Sequence, residues 1–371
     1  MANSFITLKT IARKALPALM DELVFPALCS RDLSEDFGEL GDTVQVRKPS
    51  RLEAREFDAV NGVDYQDIKE ESVDVTLTTL ATVDAAAGAV ETAVSLGSEE
   101  ALERDFILPA ARALAAKINS DGLKLYKDVY ANVGTAGTAI SSLNDLSKVR
   151  KALNLARVPE FGRKLIVDPE ADAKLITIEQ LASAAHSGDT GALRNGSLGR
   201  IFGMDVYTTQ AVEKHVSGVT GTSVTLESAA SEGDESAHLA GTSLTGSFVK
   251  GDLIKIGSDS YTVTEGVTAA SNKATVKLSP ALKAYGAGTA VTLVGSHTAC
   301  LAFDPRAFVF VSRPLINPDG QGVESYVTTF NGLSLRVTKG YDQKYKKSTY
   351  SMDVLYGFKT VYPELAVRVL G

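Results

Sequence analysis

Apolar and polar positions follow two periods along this chain, and the places where one gives way to the other mark its elements. Phe5, Leu8, Ile11, Ala12, Ala15, Leu16 and Leu19 recur at three- and four-residue steps, with Lys9, Arg13 and Lys14 off that face. The spacing predicts an amphipathic helix, broken at Pro26. A terminal helix with one apolar stripe needs a neighbour, either its own domain or another subunit. Val44 and Val46 then alternate with Gln45 and Arg47, while Val73, Val75 and Leu77 alternate with Asp74, Thr76 and Thr78. Two paired strands fit this pattern, joined by polar residues 51–69 with the turn dipeptide Asn61-Gly62 near their middle. At about 3.3 Å per residue such an arm reaches on the order of 40 Å, and it carries too few apolar residues to fold without a partner.

A long helix is predicted from Ser98, which serves as N-cap, with Glu99, Glu100 and Glu103 at the positive end of its dipole. Leu102, Phe106, Ala110, Ala113, Leu114 and Ile118 form its stripe, Pro109 predicts a kink, and Gly122 marks the end. Roughly 20 to 25 residues make a rod of about 30–35 Å. From 126 to 216 helix and strand mix: helix over 143–156, strand over 164–167, helix over 170–175, strand over 204–207. This is an α+β pattern. The composition shifts near 217, and no arginine occurs between Arg200 and Arg306. Short alternating strands at 223–227, 252–256, 261–264, 274–278 and 290–294, separated by turn residues, predict a small barrel or sandwich. The mixed pattern returns at Leu301, with strands at 307–311, 333–338 and 348–355. An all-β domain inserted into an α+β host accounts for this order.

Composition narrows the function. A length of 371 residues predicts two or three domains, and 44% hydrophobic with 22% charged residues excludes wholesale disorder. The 38 basic and 45 acidic side chains leave a net charge of −7, which argues against a DNA-wrapping surface. Two cysteines, Cys29 and Cys300, cannot build a disulfide framework, so the chain reads as intracellular. The apolar run 15–20 contains Pro17 and ends at Asp21, and Asp84, Glu91 and Arg112 cut the later runs; no membrane or export segment is expected. Four histidines and no tryptophan leave little material for a metal or imidazole site, and His186, His215, His238 and His297 lack ligand spacing.

The candidate motifs are weak. Asp189-Thr190-Gly191 matches the aspartic-protease triplet but follows Ser187-Gly188 instead of an apolar strand, so it reads as a polar loop. Gly191 and Gly196 have phosphate-loop spacing with Ser197 where the lysine belongs. Asn195-Gly196-Ser197 is a glycosylation sequon without an export signal, and no Gly-x-Ser-x-Gly elbow exists. The cluster Lys344–Lys347, flanked by Tyr341, Tyr345 and Tyr350, reads as a solvated turn between strands ahead of a nucleic-acid contact. Neither catalysis, a cofactor nor a metal is expected.

Several stretches, taken in order, carry a resemblance. They are Arg31-Asp32 through Phe37-Gly38, then Gly41-Asp42-Thr43-Val44-Gln45-Val46-Arg47-Lys48-Pro49, then Leu108-Pro109-Ala110 with Ala113 to Ile118. Phe202-Gly203-Met204-Asp205-Val206-Tyr207, Val249-Lys250-Gly251-Asp252 and Asp353-Val354-Leu355-Tyr356-Gly357 complete the set. Together they resemble a tailed-phage major capsid (coat) protein, of the short-tailed-phage branch with an inserted β-barrel domain; the chain and its insertion are short for that branch. The resemblance implies the Hong Kong-ninety-seven-type α+β capsid fold. It divides the chain into an N-terminal arm (1–42), an extended loop (43–80), a peripheral domain with a spine helix (81–135), the first part of an axial domain (136–216), the inserted barrel (217–297) and a return through axial and peripheral domains (298–371).

It further implies pentamers and hexamers in a closed shell, a scaffolding protein, a portal protein and packaged double-stranded DNA that the chain contacts without sequence specificity. The location implied is the virion, with assembly in the host cytoplasm and no membrane. In that family the extended loop lies across the adjacent subunit, which makes Arg47, Lys48, Arg51 and Arg55 candidate partners of Glu99, Glu100, Glu103 and Asp105. Glu227, Glu232, Asp234 and Glu235 lie in an acidic loop that either touches a neighbouring capsomer or is a solvated connector. Three other readings stand beside this one. A bacterial nanocompartment shell shares the fold but would not be expected to carry the insertion; the others are a β-rich binding module and a hydrolase using Asp189.

Overall fold

Residues 8–31, 43–48, 71–77, 79–88, 103–182, 195–318 and 323–371 are described by the computed structural model. The chain divides into two discontinuous units, one of 1–16, 31–106 and 310–361, the other of 17–30, 107–309 and 362–371.

In the first unit, Thr43–Lys48 runs antiparallel to Glu71–Thr76, with Val44 opposite Val75 and Val46 opposite Val73, as the alternation predicts. The expected turn at Asn61-Gly62 lies outside the described residues. A five-stranded sheet is ordered Phe308–Arg313, Lys347–Thr360, Leu333–Asp342 and Glu324–Phe330, with Thr79–Gly88 also paired to Lys347–Thr360. The central strand Lys347–Thr360 buries six consecutive residues, Met352 to Gly357, so it is covered on both faces. A Cβ on Gly357 would stand 2.3 Å from the Thr76 carbonyl oxygen, so only glycine permits this approach.

The helix Leu8–Glu22 buries Ile11, Ala12, Ala15, Leu16 and Leu19, the stripe read from the sequence. Pro26 does not break it; the helix ends at Glu22, and Pro26 lies in the first turn of a second short helix, Phe25–Leu28. There its missing N–H would have had no helical partner in any case. Asn119 bridges the gap: its Oδ1 accepts from the Val24 and Phe25 amides at 3.1 Å each, and its Nδ2 donates to the Glu22 carbonyl at 2.9 Å.

Asn119 belongs to the long helix. A π-helical turn, Glu103–Ile107, leads into an α-helix, Leu108–Leu123, and Pro109 occupies the first turn of the α segment. The wider preceding turn accommodates the proline where a mid-helix kink was expected. Ala113 is exposed, and Ala111 and Ala115 join Ala110, Leu114 and Ile118 in the buried stripe. The expected cap Ser98 and the stripe residue Leu102 lie outside the described residues.

A second sheet has the order Asn132–Gly134, Ala366–Leu370, His297–Phe303, Lys164–Val167, Met204–Thr208 and Arg200–Ile201. Helices Leu143–Leu155 and Pro169–Ile176 bury Leu146, Val149, Leu153, Ala171 and Leu175 against one face, beside Leu165, Val167, Ala302 and Val369. Each begins on a side-chain cap: Ser142 accepts from the Asp145 amide and Asp168 from the Ala171 amide. Phe303, Phe25 and Phe308 pack as an aromatic cluster.

The inserted β segment folds around its own core. Its strands are Gly218–Leu226, Ser236–Phe248, Leu253–Ile256, Asp259–Val263, Val267–Thr268, Lys273–Ser279 and Val291–Leu293. They form one sheet that a Thr225–Ala290 bridge nearly closes into a barrel. Val224, Leu226, Leu239, Phe248, Ile254, Ile256, Val276, Leu278 and Val291 make the centre, as their alternation predicts for most of them. Leu253, expected in this set, is buried outside it. The strand Ser236–Phe248 has no counterpart in the sequence reading. Its register shifts between Ala240 and Thr242 and again between Thr242 and Thr245, so buried Leu239 and Leu244 fall an odd number of residues apart. Bulges thus erase the two-residue period that would have revealed it.

Candidate functional site

At the base of the barrel, four side chains that no motif had linked converge on one buried junction. Asp252 closes the turn after Val249, accepting from the Val249 amide at 2.8 Å through Oδ2. Gly251, in that turn, has φ +96°, and a Cβ on it would lie 2.7 Å from Lys127 Cγ. The other carboxylate oxygen of Asp252 is 2.8 Å from His215 Nε2, and His215 Nδ1 is 3.0 Å from the Tyr126 hydroxyl. A carboxylate can only accept, so Nε2 carries a hydrogen toward Asp252; in the neutral imidazole Nδ1 is then the acceptor for the tyrosine O–H. Burial pushes the Tyr126 hydroxyl up to about 12, so it remains a donor at neutral pH.

Arg368, from the last strand, is fully buried beside this line. Its Nη1 donates to the Gly251 carbonyl at 2.7 Å, and its Nη2 donates to the Val129 carbonyl at 3.0 Å and to the Tyr126 carbonyl. The guanidinium carbon lies 4.9 Å from the centre of the Tyr126 ring. Burial lowers its pKa to about 9, against the opposing pull of Tyr126, Asp252 and Asp128, so it stays charged at neutral pH. Thr262 adds a 2.8 Å bond to the Lys127 carbonyl, and Lys250 pairs with Asp128 at 3.0 Å. The His297 ring lies 5.2 Å from that of His215, and its Nδ1 bonds the Gly295 carbonyl at 2.9 Å. Burial first, then Arg368 and His215, push its pKa down to about 4. Tyrosine, histidine and aspartate in line have the order of a proton relay, but the line ends on a hydroxyl held protonated. Its effect is cohesion: it ties barrel residues 251, 252 and 262 to the turn after the long helix and to the final strand.

Sequence reasoning missed this junction because its parts lie far apart, at 126, 215, 252 and 368. One signal was present: Arg368 stands alone among the apolar residues of Ala366–Leu370. A lone cation in such a strand demands acceptors from elsewhere.

Of the residues expected at subunit contacts, Arg51, Arg55, Glu99 and Glu100 lie outside the described residues. Arg47 and Lys48 sit opposite Ser72 and Glu71 in the paired strands, and Glu103 opens the π-helical turn. Asp105 is bound by its neighbour Arg104 at 2.6 and 2.9 Å, and this hydrogen bonding holds its carboxyl below the usual range. The acidic stretch is better defined. Glu227 pairs with Lys273, and Asp234 accepts from the Ser231 amide at 2.7 Å. Glu232 and Glu235 are exposed, with no cation beside them among the described residues. The backbone of Ala230 exchanges bonds with Tyr285, the Gly233 amide donates to Leu282 at 2.9 Å, and Leu282 donates to Asp234 at 2.7 Å. The acidic residues therefore stand on a braced shelf. His186 and Asp189 lie outside the described residues. No described helix is long and apolar enough to cross a membrane.

No family model and no curated protein matches the sequence. Among solved structures, a chain from Mycobacterium phage Che8 is 18% identical, covers 94% of this chain and 90% of its own length, and superposes with a TM-score of 0.54. A chain from the capsid of the Cyanophage P-SCSP1u is 12% identical over 94% of this chain and 88% of its own, with a TM-score of 0.50. At such identities the likeness is one of fold. The chain has an α+β phage-capsid fold that includes a nearly closed barrel sheet.

Proposed function

We propose that this chain is the major capsid protein of a tailed phage and that copies of it assemble as pentamers and hexamers into the shell around the genome. The reading rests on one observation, a phage-capsid fold along 94% of the chain. In this reading residues 43–80 form the extended loop that reaches an adjacent subunit, and 217–297 form the inserted barrel. Arg47, Lys48, Arg51 and Arg55 meet Glu99, Glu100, Glu103 and Asp105 of a neighbour, and the acidic shelf faces the next capsomer. A scaffolding protein shapes the shell, a portal protein occupies one vertex, and double-stranded DNA fills the interior. The function lies in contacts between copies, without a catalytic group. Electron microscopy of the chain expressed with a scaffolding protein tests this. Closed icosahedral shells are expected; a uniform population of monomers would end the reading.

A further inference from the structure

The hairpin joining Leu333–Asp342 to Lys347–Thr360 carries Lys339, Lys344, Lys346 and Lys347 close to its tip. Several lysines elsewhere stand beside carboxylates, as Lys117 does beside Asp121, Lys164 beside Asp205 and Lys283 beside Asp259. None of these four forms an ion pair among the described residues, though Lys347 stands opposite Asp342 and Lys339 opposite Glu324 in the strand register. The one acid at the tip, Asp342, turns inward: its Oδ1 accepts from the Lys344 amide at 2.8 Å and the Tyr345 amide at 3.2 Å. Those bonds brace the turn. The Lys344 ammonium lies 5.2 Å from the Tyr345 ring centre, and Tyr341 and Tyr345 are 53% and 62% exposed. A braced tip thus presents ammonium groups outside any ion pair, interleaved with two exposed phenol rings, on a chain whose net charge is −7.

We propose that this tip binds the backbone of nucleic acid without sequence preference. Compact ammonium charges suit a continuous line of phosphates, whereas an acidic protein surface would have to match each position singly. Exposed tyrosine rings supply flat apolar faces for sugars and bases. Because the turn is already ordered, little conformational entropy is lost on contact. The proposal rests on the DNA-enclosing function proposed above and assigns the contact to one surface, while the binding test reads it on unassembled protein.

The test uses unassembled full-length protein and a fluorescent random-sequence DNA duplex, with anisotropy read across a salt series. Four phosphate contacts predict that log K falls against log salt with a slope of about −3.6. The variant Lys344→Gln, Lys346→Gln, Lys347→Gln should weaken binding at least about tenfold at low salt and bring the slope near −1. Tyr345→Ala should lower affinity with the slope unchanged. Circular dichroism matching the parent establishes that each variant is folded. An unchanged affinity and slope in the folded triple variant would overturn the proposal. So would loss of shells in that variant with DNA affinity intact, since the tip would then be a protein contact. Failure of the parent chain to form shells would bear on the proposed function alone.

Discussion

Arg368 is fully buried, and three backbone carbonyls with the Tyr126 ring take the place of hydration for its two Nη groups, while Nε finds no hydrogen-bond partner among the described residues. Truncation strands acceptors that already lie in a dry interior, and each stranded group costs about 1–3 kcal/mol. Arg368→Leu should therefore lower stability by at least about 3 kcal/mol, read as a fall in the urea midpoint of the full chain; an unchanged midpoint would count against the junction as a brace. His297 sets a pH dependence. Its folded pKa is depressed from 6.5 to about 4, so the unfolded chain takes up the proton first as pH falls. Stability from this group is fully present above 6.5 and declines as pH falls from 6.5 toward 4, by about 3 kcal/mol over that window. His297→Phe should flatten the difference between urea midpoints at pH 7 and pH 4.5, other titrating groups being common to both proteins. A variant as acid-sensitive as its parent would assign that loss to other groups.

The barrel is the element whose independence follows most directly from its packing. Every residue of its core falls between Val219 and Val291, so the segment brings its own apolar interior. A fragment of 217–297 should fold alone and give dispersed amide resonances; a narrow random-coil spectrum would show that the junction is needed. Phe248 is 1% exposed within that core, and Phe248→Ala should cost about 3–5 kcal/mol, enough to unfold the fragment. Strands with intact alternation, such as Lys273–Ser279, were legible from sequence. Ser236–Phe248 was not, because its bulges interrupt the period. The helices show the same division: the stripe of Leu8–Glu22 was readable, whereas the role of Pro109 depended on a π-helical turn that no local rule announces.

For the whole molecule the expected outcomes concern assembly. Each exposed ion pair contributes only roughly 0.2–1 kcal/mol, yet contacts repeated around a ring bias assembly while remaining weak enough to correct errors. Arg51→Glu with Arg55→Glu should leave the monomer folded and reduce shell yield, and Glu99→Arg with Glu103→Arg should partly restore it. Normal shells from the first pair, or no rescue by the second, would remove this contact. Raising salt from 0.1 M to 1 M should also weaken assembly, since the screening length drops from about 10 Å to about 3 Å. Asp189→Ala should leave shell yield unchanged, since the proposed function needs no catalytic carboxylate.

Periodicity, turn residues and the change in composition near 217 were enough to point to an α+β host, a pair of antiparallel strands, a long helix and a β segment with its own core, because those features depend on neighbours a few residues apart. The order of the capsid-like segments likewise suggested the fold that the solved phage structures share. Only the tertiary structure decided what joins the insertion to its host. The partners of that junction are separated by up to 242 residues, as Arg368 is from Tyr126, and meet only when the last strand takes its place in the sheet. Nor could sequence distinguish a loose acidic connector from a braced shelf, since the bonds that hold Gly233 and Asp234 come from Leu282, a partner no local pattern specifies.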